Sequence, residues 1–249
     1  MLDPARLGDS FVGMNAQTAV IASGDATSMP KIAATAPVSE LGPVPKRPIT
    51  DSVRRLMDIV GAGLALVLFS PILLVAAALV RLNSKGPALF WQERYGKDET
   101  IFRVVKFRTM VVDQGAVIDL VKVEALERQG VLSKSENDPR VTRVGKWLRR
   151  TSIDELPQLW NVLRGDMGLV GPRPLLPFML QPYPDLRRVR CAVRPGLTGL
   201  WQVSRREDNT SALSMAREDL EYVRTRCVVG DVRIMAKTIP AIIRGSGAV

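Results

Sequence analysis

The chain has 249 residues, enough for one medium domain with appendages, and carries 35 Lys and Arg against 25 Asp and Glu, a net charge of +10. It contains no histidine, which removes Ser-His-Asp triads, Cys-His dyads and His-ligated zinc and leaves acid–base or nucleophilic work to Asp, Glu, Lys, Tyr, Ser or Cys. Two cysteines, Cys191 and Cys227, are too few for a disulfide framework; they fit a reducing compartment and leave a single bridge open.

Residues 1–45 are rich in Ala, Ser, Thr, Gly and Pro and show no periodicity, which reads as a disordered tail. No basic start leads into a compact apolar run, so the tail is not a signal peptide. Arg6 and Lys31 are its only bases, against Asp3, Asp9, Asp25 and Glu40, so the positive excess lies entirely beyond it. A surface so charged suits phosphates, acidic lipid headgroups or nucleic acid.

Residues 59–80 form a run of 22 residues without a charge. As a straight helix it would measure about 33 Å, enough to cross a bilayer core. Two features oppose a simple span. Ser70 and Pro71 sit at its centre, where a proline costs about 3 kcal/mol unless the helix bends; the Ser70 hydroxyl can satisfy a freed carbonyl. The flanking bases are also balanced, with Lys46, Arg47, Arg54 and Arg55 before the run and Arg81, Lys85, Arg94 and Lys97 after it. Spanning helices usually concentrate bases on one side. The pattern predicts a re-entrant helix–break–helix over residues 46–85, with both ends on the cytoplasmic side and Ser70 and Pro71 as the break.

Residues 86–249 then form a domain on that same face. Residues 88–94 and 101–107 are rich in β-branched and aromatic side chains, with a turn-like Gly96, Lys97, Asp98 and Glu99 between them, and predict a β-hairpin. Residues 117–129 read as a helix ended by Gly130. Residues 141–150 form a basic amphipathic segment, with Val141, Val144, Trp147 and Leu148 opposed by Arg143, Lys146, Arg149 and Arg150. Such a helix can lie on an anionic membrane or turn its apolar stripe to a core. Residues 156–164 predict a helix closed by Gly165, and residues 170–177 a loop stiffened by proline. Further helices are expected over 184–190, 211–226 and 232–244. The fold class is therefore α+β, mainly α-helical, with one small β-hairpin behind a monotopic membrane element.

The residues able to carry chemistry centre on TSIDELP at 151–157. Ser152 with Glu155 fits a capping box, and on spacing alone capping is the commoner explanation. Asp154 as N-cap would keep Pro157 within the first turn, where proline is tolerated, and would stand at a helix mouth that favours anions. Adjacent carboxylates can also divide two tasks: one attacks phosphorus, the other holds Mg²⁺ beside substrate phosphates. In GPRP at 171–174, prolines restrict the backbone around Arg173, suiting it to clamp a phosphate; a solvated loop arginine is the commoner case. The glycine-punctuated RPGLTGLWQ at 194–202 suits a binding loop or a packed turn.

Three stretches together resemble the monotopic phosphoglycosyl transferases of the bacterial sugar transferase family: KFRTM at 106–110, DPRVTRVGKWLRRTSIDELPQLWNVLRGDMGLVGPRP at 138–174 and RPGLTGLWQVS at 194–204. The apolar run with its central Ser70 and Pro71 matches that family's re-entrant helix, and the resemblance covers about residues 46–245. The want of an N-terminal multi-span domain resembles the short exopolysaccharide-initiating type. The resemblance implies transfer of hexose 1-phosphate from a UDP-hexose to undecaprenyl phosphate at the cytoplasmic face of the bacterial inner membrane, with release of UMP. Asp154 would be the nucleophile of a covalent phosphosugar intermediate and Glu155 the Mg²⁺ ligand. Arg149 and Arg173 would contact phosphate, with Lys106 and Arg108 as further candidates. Membrane lipids are implied partners, nucleic acid is not, and self-association is left open. Arg205 after Ser204, where the pattern usually has Gly before Arg, bears on the geometry of that loop. The competing reading is a membrane-anchored basic binding or regulatory protein without catalysis.

Overall fold

In the computed structural model, residues 44–111, 140–204 and 212–243 are described. The helix expected over 117–129, the tail up to residue 43 and Arg205 lie outside them.

The chain enters helix α1 (Pro48–Asn83), with proline in the first turn, where a missing N–H costs nothing. The expected two segments are one helix: helical structure runs unbroken through Ser70 and Pro71. Pro71 cannot donate to the carbonyl of Val67 four residues back, and the Ser70 hydroxyl donates to that carbonyl instead at 2.8 Å. Burial along α1 is confined to Ala62, Ala76 and Val80, so nothing between residues 62 and 76 is buried. Leu64, Val67, Leu68 and Leu74 are each more than two thirds exposed.

Both ends of α1 are fastened to the rest of the chain. Near its start, Arg54 pairs with Asp231 at 2.5 Å and also donates to the Tyr222 hydroxyl. Arg55 donates to the carbonyls of Val162 and Leu163 at 2.6 and 2.7 Å, and Asp58 accepts the Leu169 N–H at 2.8 Å. At its other end, Arg108 donates to the carbonyls of Ser84 (2.7 Å), Gly86 (3.4 Å) and Lys85, closing the carbonyl-rich exit of the helix with a cation.

The hairpin is as expected: β1 (Leu89–Tyr95) and β2 (Ile101–Phe107) pair antiparallel, with Phe90 opposite Lys106, Gln92 opposite Val104 and Arg94 opposite Phe102. Side chains alternate along a strand, so Gln92, Arg94, Val104 and Lys106 share one face. Helix α2 (Arg143–Arg150) follows, capped by the Thr142 hydroxyl, which accepts the Gly145 N–H at 2.9 Å. Leu148 is fully buried, Val144 packs beside it, and Trp147 stays about half exposed. The apolar stripe is thus split between the core and the surface.

A 3₁₀ turn (Ile153–Gln158) leads into α3 (Leu159–Arg164), closed by Gly165. The predicted helix from residue 156 starts three residues late, its first residues being taken up by the 3₁₀ turn. Asn161, fully buried, mimics a strand against β2: its side chain accepts from Val105 N (3.0 Å) and donates to Arg103 O (2.8 Å). The remaining elements are β3 (Gly168–Val170), α4 (Pro177–Leu180), α5 (Pro184–Arg190), β4 (Gly196–Thr198), α6 (Leu200–Ser204), α7 (Ala212–Thr225) and α8 (Val228–Ile243). The parallel β3–β4 pair was not expected. Its strands meet where a Cβ on Gly196 would come 2.0 Å from the Gly171 nitrogen, so this crossing excludes any side chain. The RPG and GPRP stretches are therefore two sides of one backbone crossing.

Among the described residues, three apolar clusters fill the interior. One joins Ala62 to Val104, Leu159, Val162 and Met167; a second joins Ala76 and Val80 to Phe107 and Leu148. The third packs Val170, Val189, Val193, Tyr222, Val223 and Ile234. The first two flank the 3₁₀ turn, which is thereby held against β2 from both sides.

Candidate active site

The 3₁₀ turn presents the two acids. Ser152 precedes it in the left-handed region (φ 57°), and no side chain caps its start. Neither capping expectation is met. Asp154 lies inside the turn rather than at an N-cap, and Glu155 does not reach back to Ser152. Its carboxylate Oε1 instead accepts from Lys106 Nζ at 2.7 Å and Arg173 at 2.9 Å. The three side chains are 19% to 25% exposed, so water screens the group only partly.

The acids differ in state. Burial would raise Glu155, but Arg173 and Lys106 outweigh it and hold the carboxyl well below the usual carboxylate range. Burial first, and the ionised Glu155 second, push Asp154 up to about 6, against the pull of Lys106, Arg149 and Arg173. Among the described residues, no hydrogen bond or ion pair reaches the Asp154 carboxylate. One acid is thus a fixed anion, while its neighbour is ionised at neutral pH, uncommitted and basic enough to attack.

Arg149, Arg173 and Lys106, all singled out from sequence, converge here. Arg149 is oriented by the Thr109 hydroxyl at 2.9 Å. Arg173 is anchored through its backbone: its carbonyl accepts from Arg190 at 3.0 Å, and Arg190 is in turn buried against Asp219 at 2.5 Å. Arg108 is not brought in. It is 5% exposed, and its guanidinium is spent on the exit of α1. Ser70 and Pro71 lie on the exposed middle of α1 and outside the cluster.

Arg94 was read only as a flanking base. It lines a small cleft with Val104, Lys106, Glu155, Gln158, Arg173, Pro174, Gly196 and Leu197. The signal was present in the hairpin's parity, which places residue 94 on the face of Lys106.

A divalent cation is compatible with these groups. Among the described residues no three acids cluster as a ready-made cage. Mg²⁺, however, commonly takes one or two carboxylates and completes its shell with water and substrate phosphates. Glu155 is ionised and receives both its cations on one oxygen, which leaves Oε2 for such an ion.

Residues 49–245 match the family of bacterial sugar transferases. The chain is 40% identical over 205 residues to the exopolysaccharide production protein ExoY of Rhizobium meliloti, covering 81% of this chain and 90% of that protein. It is also 40% identical over 215 residues to a UDP-glucose:undecaprenyl-phosphate glucose-1-phosphate transferase of Caulobacter vibrioides, covering 83% of this chain and 75% of the relative. An undecaprenyl-phosphate galactose phosphotransferase of Salmonella typhimurium is 38% identical over 199 residues, but there the match spans only 41% of the relative. These matches displace the reading of a basic binding protein without catalysis. An acidic pair ringed by cations and a match over most of the chain place this protein in the bacterial sugar transferase family.

Proposed function

We propose that the protein transfers hexose 1-phosphate from a UDP-hexose to undecaprenyl phosphate, releasing UMP, as the first membrane step of exopolysaccharide assembly. The names of the relatives supply the substrate class. The observation that carries the chemistry is the division of labour in the acidic pair. Glu155 is locked by Lys106 and Arg173, while Asp154, raised to about 6, is uncommitted. Asp154 attacks the sugar-linked phosphorus; the bond to the nucleotide's phosphate oxygen breaks, and UMP leaves with the electron pair. The phosphate of undecaprenyl phosphate then attacks the same phosphorus and frees Asp154. Arg149, Arg173 and Lys106 offset the charge on the transferring group. Mg²⁺ held by Glu155 supplies further neutralisation of the diphosphate when bound.

The placement we infer is monotopic, at the cytoplasmic face of the inner membrane. Residues 54 and 80 of α1 both pack on the same polar body. About 39 Å of straight helix separates them, more than a bilayer core of about 30 Å. One body cannot flank both sides of a membrane. An α1 that bends at Pro71, dips in with its unburied middle and returns to the same face satisfies both facts.

The test is an assay of the purified protein with UDP-glucose or UDP-galactose, Mg²⁺ and undecaprenyl phosphate. UMP is the expected product; release of UDP would mean direct glycosyl transfer and remove the covalent mechanism.

A further inference from the structure

Residues 106–110 divide their polar side chains between three neighbours. Lys106 meets Glu155, and Arg108 closes the exit of α1. The third, Thr109, is 8% exposed. Its hydroxyl accepts from Nε of Arg149 at 2.9 Å. Its carbonyl accepts the N–H of Thr142, the residue that caps α2, at 3.0 Å. Between these two contacts, a Cβ on Gly145 would lie 2.1 Å from the same carbonyl. Residues 142, 145 and 149 recur at spacings of three and four, which is one face of a helix. That face of α2 therefore rests on Thr109, and the seat admits no side chain at residue 145.

The seat decides how Arg149 is presented. Nε is the inner donor of the guanidinium fork, and Thr109 engages it. Among the described residues, the two terminal nitrogens meet no hydrogen-bond acceptor and no carboxylate within ion-pair distance. They are the donors that match two oxygens of a phosphoryl group. From Arg149 the chain runs directly to the acids. The Ser152 N–H reaches the Arg149 carbonyl at 3.0 Å, and the Glu155 N–H reaches the Ser152 carbonyl at 3.2 Å. Two consecutive tight turns thus join the arginine to the acidic pair. An untethered arginine loses rotamer entropy when it grips a ligand; one held at Nε has lost part of it already on folding.

We infer that Thr109 is a positioning residue for Arg149: through its hydroxyl it aims the guanidinium at the phosphoryl group that Asp154 receives and hands on. This rests on the function proposed above. The same phosphorus is attacked in both halves of that reaction, first by Asp154 and then by undecaprenyl phosphate, so Thr109 serves both halves alike. The chemistry at residue 109 is separable from its bulk. Serine keeps the accepting oxygen, whereas valine keeps the branched shape and loses the acceptor.

Rescue and coupling separate this role from mere packing. In full-length enzyme in detergent, Thr109→Val should slow UMP release from UDP-glucose about tenfold or more. Transfer from phosphosugar-loaded enzyme to undecaprenyl phosphate should slow by a similar factor. Thr109→Ser should stay within about threefold of wild type. Valine should also move the acid limb of the pH profile upward, because Arg149 is one of the cations that restrain the Asp154 carboxyl. In an Arg149→Ala background, adding Thr109→Val should cost less than about twofold. A serine variant as slow as valine, an unmoved acid limb, or the full loss without Arg149 would leave Thr109 as packing only and overturn the proposal. Should the valine variant fail to fold, nitrogen-15 NMR of the wild-type arginine Nε groups decides, with Arg149 assigned through Arg149→Lys. An Arg149 Nε proton protected from exchange supports the proposal, and one that exchanges like a free arginine rejects it. Wild-type enzyme that shows the protected proton yet never releases UMP from UDP-sugars would instead sink the reaction assigned above.

Discussion

At the level of single residues, the separation of Asp154 from Glu155 has consequences for pH. The proposed attack requires an ionised Asp154, so kcat/KM for the nucleotide sugar is expected to fall about tenfold per unit as pH drops below about 6. A profile that stays flat to pH 4.5 would deny Asp154 that role. The same shift touches stability. The folded-state value lies above the unfolded 3.8, so the stabilising contribution is complete below about 3.8 and lost as pH rises through about 6. Asp154→Asn should therefore melt about 2–4 °C higher than wild type at pH 7.5 in metal-free buffer, with no gain at pH 4 and no UMP release at either pH. Arg108 offers a contrast with Arg173. Removing the buried cation that closes α1 should lower the melting temperature by about 3–8 °C and change KM for the donor little. Arg173→Ala, which strips Glu155 of a cation, should instead raise KM for the donor. Sequence ranked Arg108 below Arg173, as a further candidate only; burial and the carbonyls at residues 84–86 take it out of the cluster.

Elements explain where the sequence was legible and where it was not. The hairpin and the helix from Pro184 follow from alternation and turn chemistry and formed as expected, while the helix before Gly165 ended as expected but began three residues late. Strands β3 and β4 have three residues each and are held by backbone crossing at glycines, so they carry no pattern to read. The acidic pair was visible, but the 3₁₀ geometry under Pro157 was not, and it is this geometry that takes both acids out of capping. In α1, Ser70 and Pro71 mark a defect that the Ser70 hydroxyl repairs at the Val67 carbonyl. Ser70→Ala should cost about 1 kcal/mol, read as earlier thermal unfolding in micelles. The re-entrant placement can be tested by cysteine substitution at Ser52 and Lys85, both exposed. In intact cells an impermeant maleimide should label neither, and after inside-out vesicle preparation both; opposite accessibilities would make α1 a span.

At the scale of the molecule, apolar clusters among the described residues bind α1, the hairpin and the helices into one frame around a cleft whose cations outnumber its acids. A cleft of that charge repels a free divalent ion. Mg²⁺ should therefore bind measurably only with a nucleotide sugar present; calorimetric titration with Mg²⁺ alone should show no submillimolar site, and a tight site without nucleotide would contradict the electrostatics. The same frame sets the Asp154 carboxylate, unengaged among the described residues, beside Arg149, Lys106 and Arg173, which is the arrangement that covalent phosphoryl transfer needs. Mass spectrometry of the enzyme after brief exposure to a UDP-sugar and Mg²⁺, without acceptor, tests this most directly. The expected result is a hexose-phosphate adduct on Asp154 that undecaprenyl phosphate removes and that Asp154→Asn never forms. Turnover with no adduct, or an adduct on another residue, would contradict it.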